Sequence, residues 1–275
     1  MSENILYHGR NNMEKQIRIY QCENSPNGIL SAVFEAGISG YGHNYIKIQP
    51  LSPGYSYNIE LFSEYIKVET SPEKAENVLK TIDSGISHEA YFFVMSALLS
   101  EDADRGNVIY QFVTYGFTIG RDITKALQLD CVSKIFAIKR SVHNEAHFYK
   151  EFLRFQEVKK TPPVLMAKME PKNRVLTLVT SHFEDRFNAE YFIIYDKSYK
   201  EASFHSSDGN CVIRILTQEE EEKLDSLLDT NEKYADLWKV FFESIAVEER
   251  KNYKLQRGNL ALHYRKYMTE FMENN

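Results

Sequence analysis

From Ser71 to Val158 the chain reads almost without interruption in helical periodicity, and on either side of that block the pattern changes to short strands. Apolar residues recurring every three or four positions mark a helix face, and alternation marks a half-buried strand. A helical block flanked on both sides by isolated strands fits neither an all-helical bundle nor a regular βαβ alternation. The expected class is α+β: helix-rich, with a small mixed or antiparallel sheet and a central block of helices.

The punctuation supports this order. Ile17–Cys22 alternates as a strand, and Asn24–Gly28 is a turn in which Ser25 caps a helix with Pro26 at its first position. That helix runs through Ile29, Leu30, Val33 and Phe34 toward Gly37. Short strands are expected around Tyr45–Ile48 and Tyr65–Val68. Ser71-Pro72 opens the helical block, whose pieces are His88–Ser100, Gly106–Gly120 and Asp122–Val158, the last broken near Leu129–Cys131. After Thr161-Pro-Pro come a strand at Val164–Met169 and a helix at Arg174–Phe187. Tyr191–Tyr195 and Glu201–His205 read as paired strands, followed by one at Val212–Leu216. Thr217 caps a helix through Leu228. A long helix over Tyr234–Gln256 and a short one over Leu260–Phe271 close the chain. Residues 1–15 are polar and expected to fray. Residues 16–275 form one α+β unit, with a sub-boundary near residue 85 but no visible linker.

Several classes of function are disfavoured. No apolar run approaches the ~18 residues of a membrane span, and the first residues lack the apolar core of a leader, so a cytoplasmic protein without membrane contact is expected. Cys22, Cys131 and Cys211 lie far apart with no CxxC pair, which removes the usual zinc-ribbon and iron–sulfur spacings. There is no phosphate-loop, dinucleotide-binding or nucleophile-elbow motif, so no cofactor is expected. A net charge of -6 argues against a generally basic coat for nucleic acid while leaving room for a local basic groove.

The segment Lys139–Phe155 offers such a groove. At 3.6 residues per turn, Arg140, His143, His147, Lys150 and Arg154 share one face, opposite the apolar Ile138, Val142, Tyr149, Phe152 and Leu153. A basic stripe four turns long suits a phosphate backbone. It also suits a plain solvated helix face, given the interleaved Asn144 and Glu151. His143 and His147 have the i, i+4 spacing of metal ligands, but no third ligand is evident and no metal site is assigned. Glu145 falls on the apolar face. A buried carboxylate there must be paired, or else serve as a functional acid.

Two further clusters complete the candidates. His182 and Arg186 are one turn apart on a helix, and Asp196 follows a strand end, where a His–Asp pair would orient a proton-transfer group. In the last long helix the apolar stripe Trp238, Phe241, Phe242 and Ile245 becomes polar at Glu249, Asn252 and Gln256. Either that helix leaves the protein or its polar face meets a ligand. Arg250 and Arg265 add cations nearby.

The stretches Glu145-Ala-His147, Phe152-Leu-Arg-Phe155, Met169-Glu-Pro171, His182–Phe187, Phe192–Asp196, Trp238–Ile245, Glu248–Asn252 and Tyr264–Phe271 together resemble a bacterial family of probable DNA metabolism proteins with a C-terminal domain of unknown function. Ile17–Tyr20 and Gly28–Phe34 resemble that family's start. The resemblance places the family's C-terminal domain at about 86–273. It implies association with a separate radical S-adenosylmethionine protein that modifies or repairs DNA. The chain departs from the family pattern at Ala261-Leu-His263.

Three functions are therefore weighed. The first is an accessory nucleic-acid-binding partner of such a radical enzyme, using Arg140, His143, His147, Lys150, Arg154, Arg186, Arg250, Gln256 and Arg265. The second is a glycosylase- or hydrolase-like enzyme acting on nucleic acid, with Glu145, His182, Asp196 and Asn252 as candidate catalytic groups. The third is a protein-interaction module without DNA contact, which the net charge favours.

Overall fold

A computed structural model describes residues 15–51, 59–158 and 162–228, together with 260, 264, 265 and 268. It is α+β. Its described elements comprise seven α-helices, two short 3-10 turns and eight strands in two sheets. The chain divides into two compact units, 1–98 with 102–136, and 99–101 with 137–275. The boundary near residue 85 considered from sequence lies inside the first unit. No described helix is long and apolar enough to cross a membrane.

The first unit is built on a three-stranded sheet in the order β2-β1-β3, from β1 (Ile17–Glu23), β2 (Ile46–Leu51) and β3 (Ser63–Lys67). Both neighbours run parallel to β1. The expected small mixed sheet is the five-stranded one of the second unit, and this three-stranded sheet is parallel throughout. The parallel run of β2 beside β1 follows from α1 (Pro26–Ile38), whose 13 residues carry the chain back to the start of the sheet before β2 begins. Ser25 caps α1 by accepting from the Gly28 N–H at 3.1 Å, and Pro26 sits in its first turn. The β1–α1 turn is tight: a Cβ on Gly28 would lie 2.4 Å from the Glu23 carbonyl oxygen. Ser71 caps α2 (Pro72–Gly85) in the same way. α3 (His88–Leu98) and α4 (Arg105–Ile119) complete the unit, with Ile29, Ile48, Ile82, Ile109 and Phe112 fully buried in its core.

The second unit takes most of α5 (Asp130–Phe152). Its sheet has the order β4-β5-β6-β7-β8. The strands are β4 (Gln156–Val158), β5 (Val164–Met169), β6 (Phe192–Asp196), β7 (Glu201–His205) and β8 (Cys211–Ile215). Only β5 and β6 are parallel, joined through α6 (Leu176–Arg186); the other neighbours are antiparallel. The helix expected to reach Val158 ends at Phe152, because Gln156–Val158 pairs with Val164–Met166 and closes a hairpin. One face of the sheet (Ala167, Met169, Phe192, Ile194) packs on Val142, Ala146, Tyr149 and Leu153 of α5 and on Leu176, Val179 and Phe183 of α6. The other face (Met166, Tyr195, Ala202) packs on Leu216 and on Leu224 of α7 (Gln218–Leu228). At about 25 cal/mol per Å² of apolar surface, these two layers are what hold the sheet in register.

Candidate nucleic-acid interface and carboxylate cluster

Along α5, Val142, Glu145, Ala146 and Tyr149 are buried, and Arg140, His143, Asn144 and His147 are exposed. Lys150 is half-buried, as is Arg154 just past the helix end. The helical wheel thus holds in three dimensions, and the basic groups occupy the outer face. Partial desolvation of the His143 ring, and then the positive charge of Lys139 and Lys150, holds its pKa below the ordinary imidazole value. His147 Nε2 lies 3.1 Å from Glu151 Oε1. Among the described residues no three His, Cys, Asp or Glu side chains converge as a metal site. Arg186 is exposed at the end of α6, near the Phe187 ring. Arg265 donates to the Leu260 carbonyl at 3.2 Å. Arg250, Asn252 and Gln256, with the helix expected at Tyr234–Gln256, lie outside the described residues.

The buried Glu145 has partners of a kind the sequence did not suggest. Its Oε1 accepts from the Lys172 backbone N–H at 2.7 Å, and its Oε2 from the Asn173 N–H at 2.9 Å and Asn173 Nδ2 at 2.6 Å. Of the two alternatives, pairing is what the structure shows, and a loop supplies the amides. That loop, 170–174, leaves the C-terminal end of β5. Asn173 Oδ1 in turn accepts from the Glu101 N–H at 3.2 Å, and the Arg174 N–H bonds the Leu99 carbonyl at 2.8 Å. Glu145 is therefore a brace that fixes a loop at the edge where the parallel strands β5 and β6 end. In open sheets containing parallel strands this is the edge where ligands gather.

Across that edge sits a second acidic group. Asp196, the last residue of β6, pairs with Met169 of β5 and Glu201 of β7 in the sheet register. It is fully buried. Its Oδ1 accepts from the Ser198 and Tyr199 N–H groups at 3.0 and 3.3 Å, and its Oδ2 has no hydrogen-bond partner. Burial pushes the carboxyl up to about 7. The Tyr199 and Ser198 amides pull against that shift, Glu201 adds to it, and Arg174 opposes it. Arg174 lies between two further acids, with Nη1 2.8 Å from Glu201 Oε1 and Nε 3.5 Å from Glu101 Oε1. Its guanidinium stands 4.3 Å from the centre of the Tyr199 ring. Tyr199 donates to the Lys172 carbonyl, tying the β6–β7 turn to the braced loop.

Of the four candidate catalytic groups, the structure brings Glu145 and Asp196 to one end of the second unit. It does not join His182 to Asp196. α6 runs back from the C-terminal edge of β5, so His182, two turns along it, is carried toward the opposite edge, half-buried against Phe183. Glu101, Arg174, Tyr199 and Glu201 were not anticipated. The one sequence signal for them is the polar run Glu170-Pro-Lys-Asn-Arg directly after a strand end.

The family model for a domain of unknown function, DUF4130, matches residues 103–270. The chain belongs to this family. The match begins beside α4 in the first unit and takes in all the described strands of the second, with the Glu145 brace and Asp196. No protein with a curated description matches the chain. A solved pGpG-specific phosphodiesterase, PggH from Vibrio cholerae, is similar over 78% of this chain and 97% of its own, at 11% identity and a TM-score of 0.33. Likeness that low transfers neither fold nor chemistry.

Proposed function

We propose that this protein binds nucleic acid through the outer face of α5, as an accessory subunit of an enzyme that acts on DNA. A radical S-adenosylmethionine protein is the partner the family resemblance suggests. One observation carries the reading: Arg140, His143 and His147 are exposed on one helix face, with Lys150 and Arg154 continuing it. Lys139 and Lys150 add their charge to the partial desolvation that lowers the His143 pKa. Cations on one rigid face, spaced by a helical turn, match successive phosphates, and each contact made releases counterions.

The test is fluorescence anisotropy of labelled single- and double-stranded DNA at ~50 and ~200 mM salt, a range over which a protein making several phosphate contacts loses orders of magnitude in affinity. Salt-sensitive binding, lost in the Arg140→Ala, Lys150→Ala, Arg154→Ala triple variant, supports the reading. No binding by the unmodified protein at ~50 mM salt refutes it and leaves the interaction-module alternative.

A second reading, an enzyme in its own right, rests on Asp196. A carboxyl near 7 with an unpartnered oxygen can both give and take a proton at neutral pH. Its full enclosure weighs toward a structural role. Turnover of a uracil-containing or otherwise damaged oligonucleotide, abolished by Asp196→Asn in a folded protein, decides for the enzyme.

A further inference from the structure

The two edges of the five-stranded sheet are protected unequally. β4 is a three-residue strand with Glu157 exposed on it, a usual way of blunting an edge. β8 has five residues, Cys-Val-Ile-Arg-Ile, with Val212 59%, Ile213 38% and Ile215 73% exposed. Such an edge invites another strand.

Its register shows which backbone groups point outward. The bonds Ser206 N–H to Asn210 carbonyl (3.0 Å) and Leu216 N–H to Lys200 carbonyl (2.7 Å) bracket the β7–β8 ladder. The ladder pairs Glu201 with Ile215, Ser203 with Ile213 and His205 with Cys211. In an antiparallel ladder, hydrogen-bonded and non-hydrogen-bonded pairs alternate. Val212 and Arg214 therefore bond to β7, while the N–H and carbonyl groups of Cys211, Ile213 and Ile215 point away from the sheet. Arg214, the strand's only charge, is held by its own chain: its two terminal nitrogens meet Glu220 at 2.7 and 2.8 Å, and its guanidinium lies 4.8 Å from the Phe204 ring centre. It leaves no bare charge to repel an incoming strand.

We infer that β8 is a self-association strand, on which a second copy of this chain pairs antiparallel about a two-fold axis at Ile213, joining the two five-stranded sheets edge to edge. The sequence of the strand is complementary to itself in that register. Ile213 faces Ile213 of the second copy, Cys211 faces Ile215, and Val212 faces the stem of Arg214, so no like charges are opposed. All the outward backbone groups of Cys211, Ile213 and Ile215 find partners at once. A five-residue strand buries less than the ~800 Å² per partner of a standard interface, so the dimer is weak, with a dissociation constant on the order of 10–100 μM.

Sedimentation equilibrium of the full chain from about 1 μM to about 1 mM reads this directly, because the range spans that constant. The weight-average mass rises toward twice that of the monomer. Ile213→Pro removes an outward N–H but no bond to β7, so the fold is kept and association weakens at least tenfold. Ile213→Lys, at an exposed side chain, sets two like charges opposite each other on the two-fold axis, does the same by repulsion and stands in should the proline variant fail to fold. A monomer throughout the range overturns the proposal, as does a dimer that persists unchanged in Ile213→Lys.

Discussion

Replacing Asp196 by Asn isolates the cost of one buried charge. The shape is kept, and the amide oxygen can accept the Ser198 and Tyr199 N–H bonds that Oδ1 accepts now. Oδ2 has no partner to lose. What changes with pH is the proton equilibrium. The carboxyl's folded pKa of about 7 stands above its ordinary value of 3.8, so the folded state holds the proton more tightly than the unfolded one. A raised folded pKa contributes stability that is full below the unfolded pKa and is lost as pH rises through the folded one. Wild type therefore weakens relative to Asp196→Asn between about pH 4 and pH 7, at about 1.4 kcal/mol per pH unit, and the gap levels off near 4 kcal/mol above pH 7. The assay is scanning calorimetry of both proteins from pH 4 to pH 9. Roughly 2–4 °C per kcal/mol for a domain of 150–250 residues makes the variant more heat-stable by about 8–16 °C at pH 8, and nearly equal at pH 4. A difference that does not change with pH, or a variant less stable at pH 8, refutes the claim that Asp196 is a neutral acid held by burial.

The Glu145 brace predicts that Glu145→Ala, which strands three donors at Lys172 and Asn173, costs about 3–5 kcal/mol in urea denaturation; a cost below about 1 kcal/mol removes the brace. In Glu145→Gln, hydrogen exchange at the Lys172 and Asn173 amides accelerates ahead of global unfolding. In the first unit, Gly28→Ala drives a methyl into the Glu23 carbonyl and destabilises by about 3 kcal/mol, whereas Gly37→Ala, with open space around its Cβ, stabilises α1 by about 0.5–1 kcal/mol. If α5 contacts phosphates, DNA affinity at fixed salt rises as pH falls below the depressed pKa of His143, and His143→Gln removes part of that rise.

The legible part of this fold is what depends on local rules. Ser25-Pro26 and Ser71-Pro72 cap helices because a hydroxyl before a proline satisfies a free N–H at the point where the proline fixes φ, and both caps form. Val164–Met169 and Glu201–His205 are strands at the expected residues, since their apolar positions match two covered faces. The parallel first sheet was not legible. Nothing in Ile17–Cys22 or Ile46–Ile48 encodes direction, which is set by the length of α1. The strand Gln156–Val158 was missed for a similar reason: its partner lies across a turn, and three residues carry no period of their own.

The acidic end of the second unit was half legible, and the missing half shows what helical spacing can reveal. The wheel found Glu145 because a carboxylate among apolar neighbours violates the pattern of its own helix. It could not find Arg174, Glu101 or Glu201, which break no local rule and meet only through the loop that Glu145 holds. The same helix thus carries two kinds of information. Its outer face displays cations whose value depends on a partner outside the chain. Its inner face contributes one acid that fixes the 170–174 loop, and through it the position of Arg174 between Glu101, Glu201 and Tyr199. A ligand that pulled on the outer face would strain the loop only by shifting α5 as a rigid rod. The buried contacts of Val142, Ala146 and Tyr149 resist that shift. The two faces should therefore respond independently: alanines along the stripe should leave the pH-dependent stability set by Asp196 unchanged, and Asp196→Asn should leave the salt dependence of DNA binding unchanged.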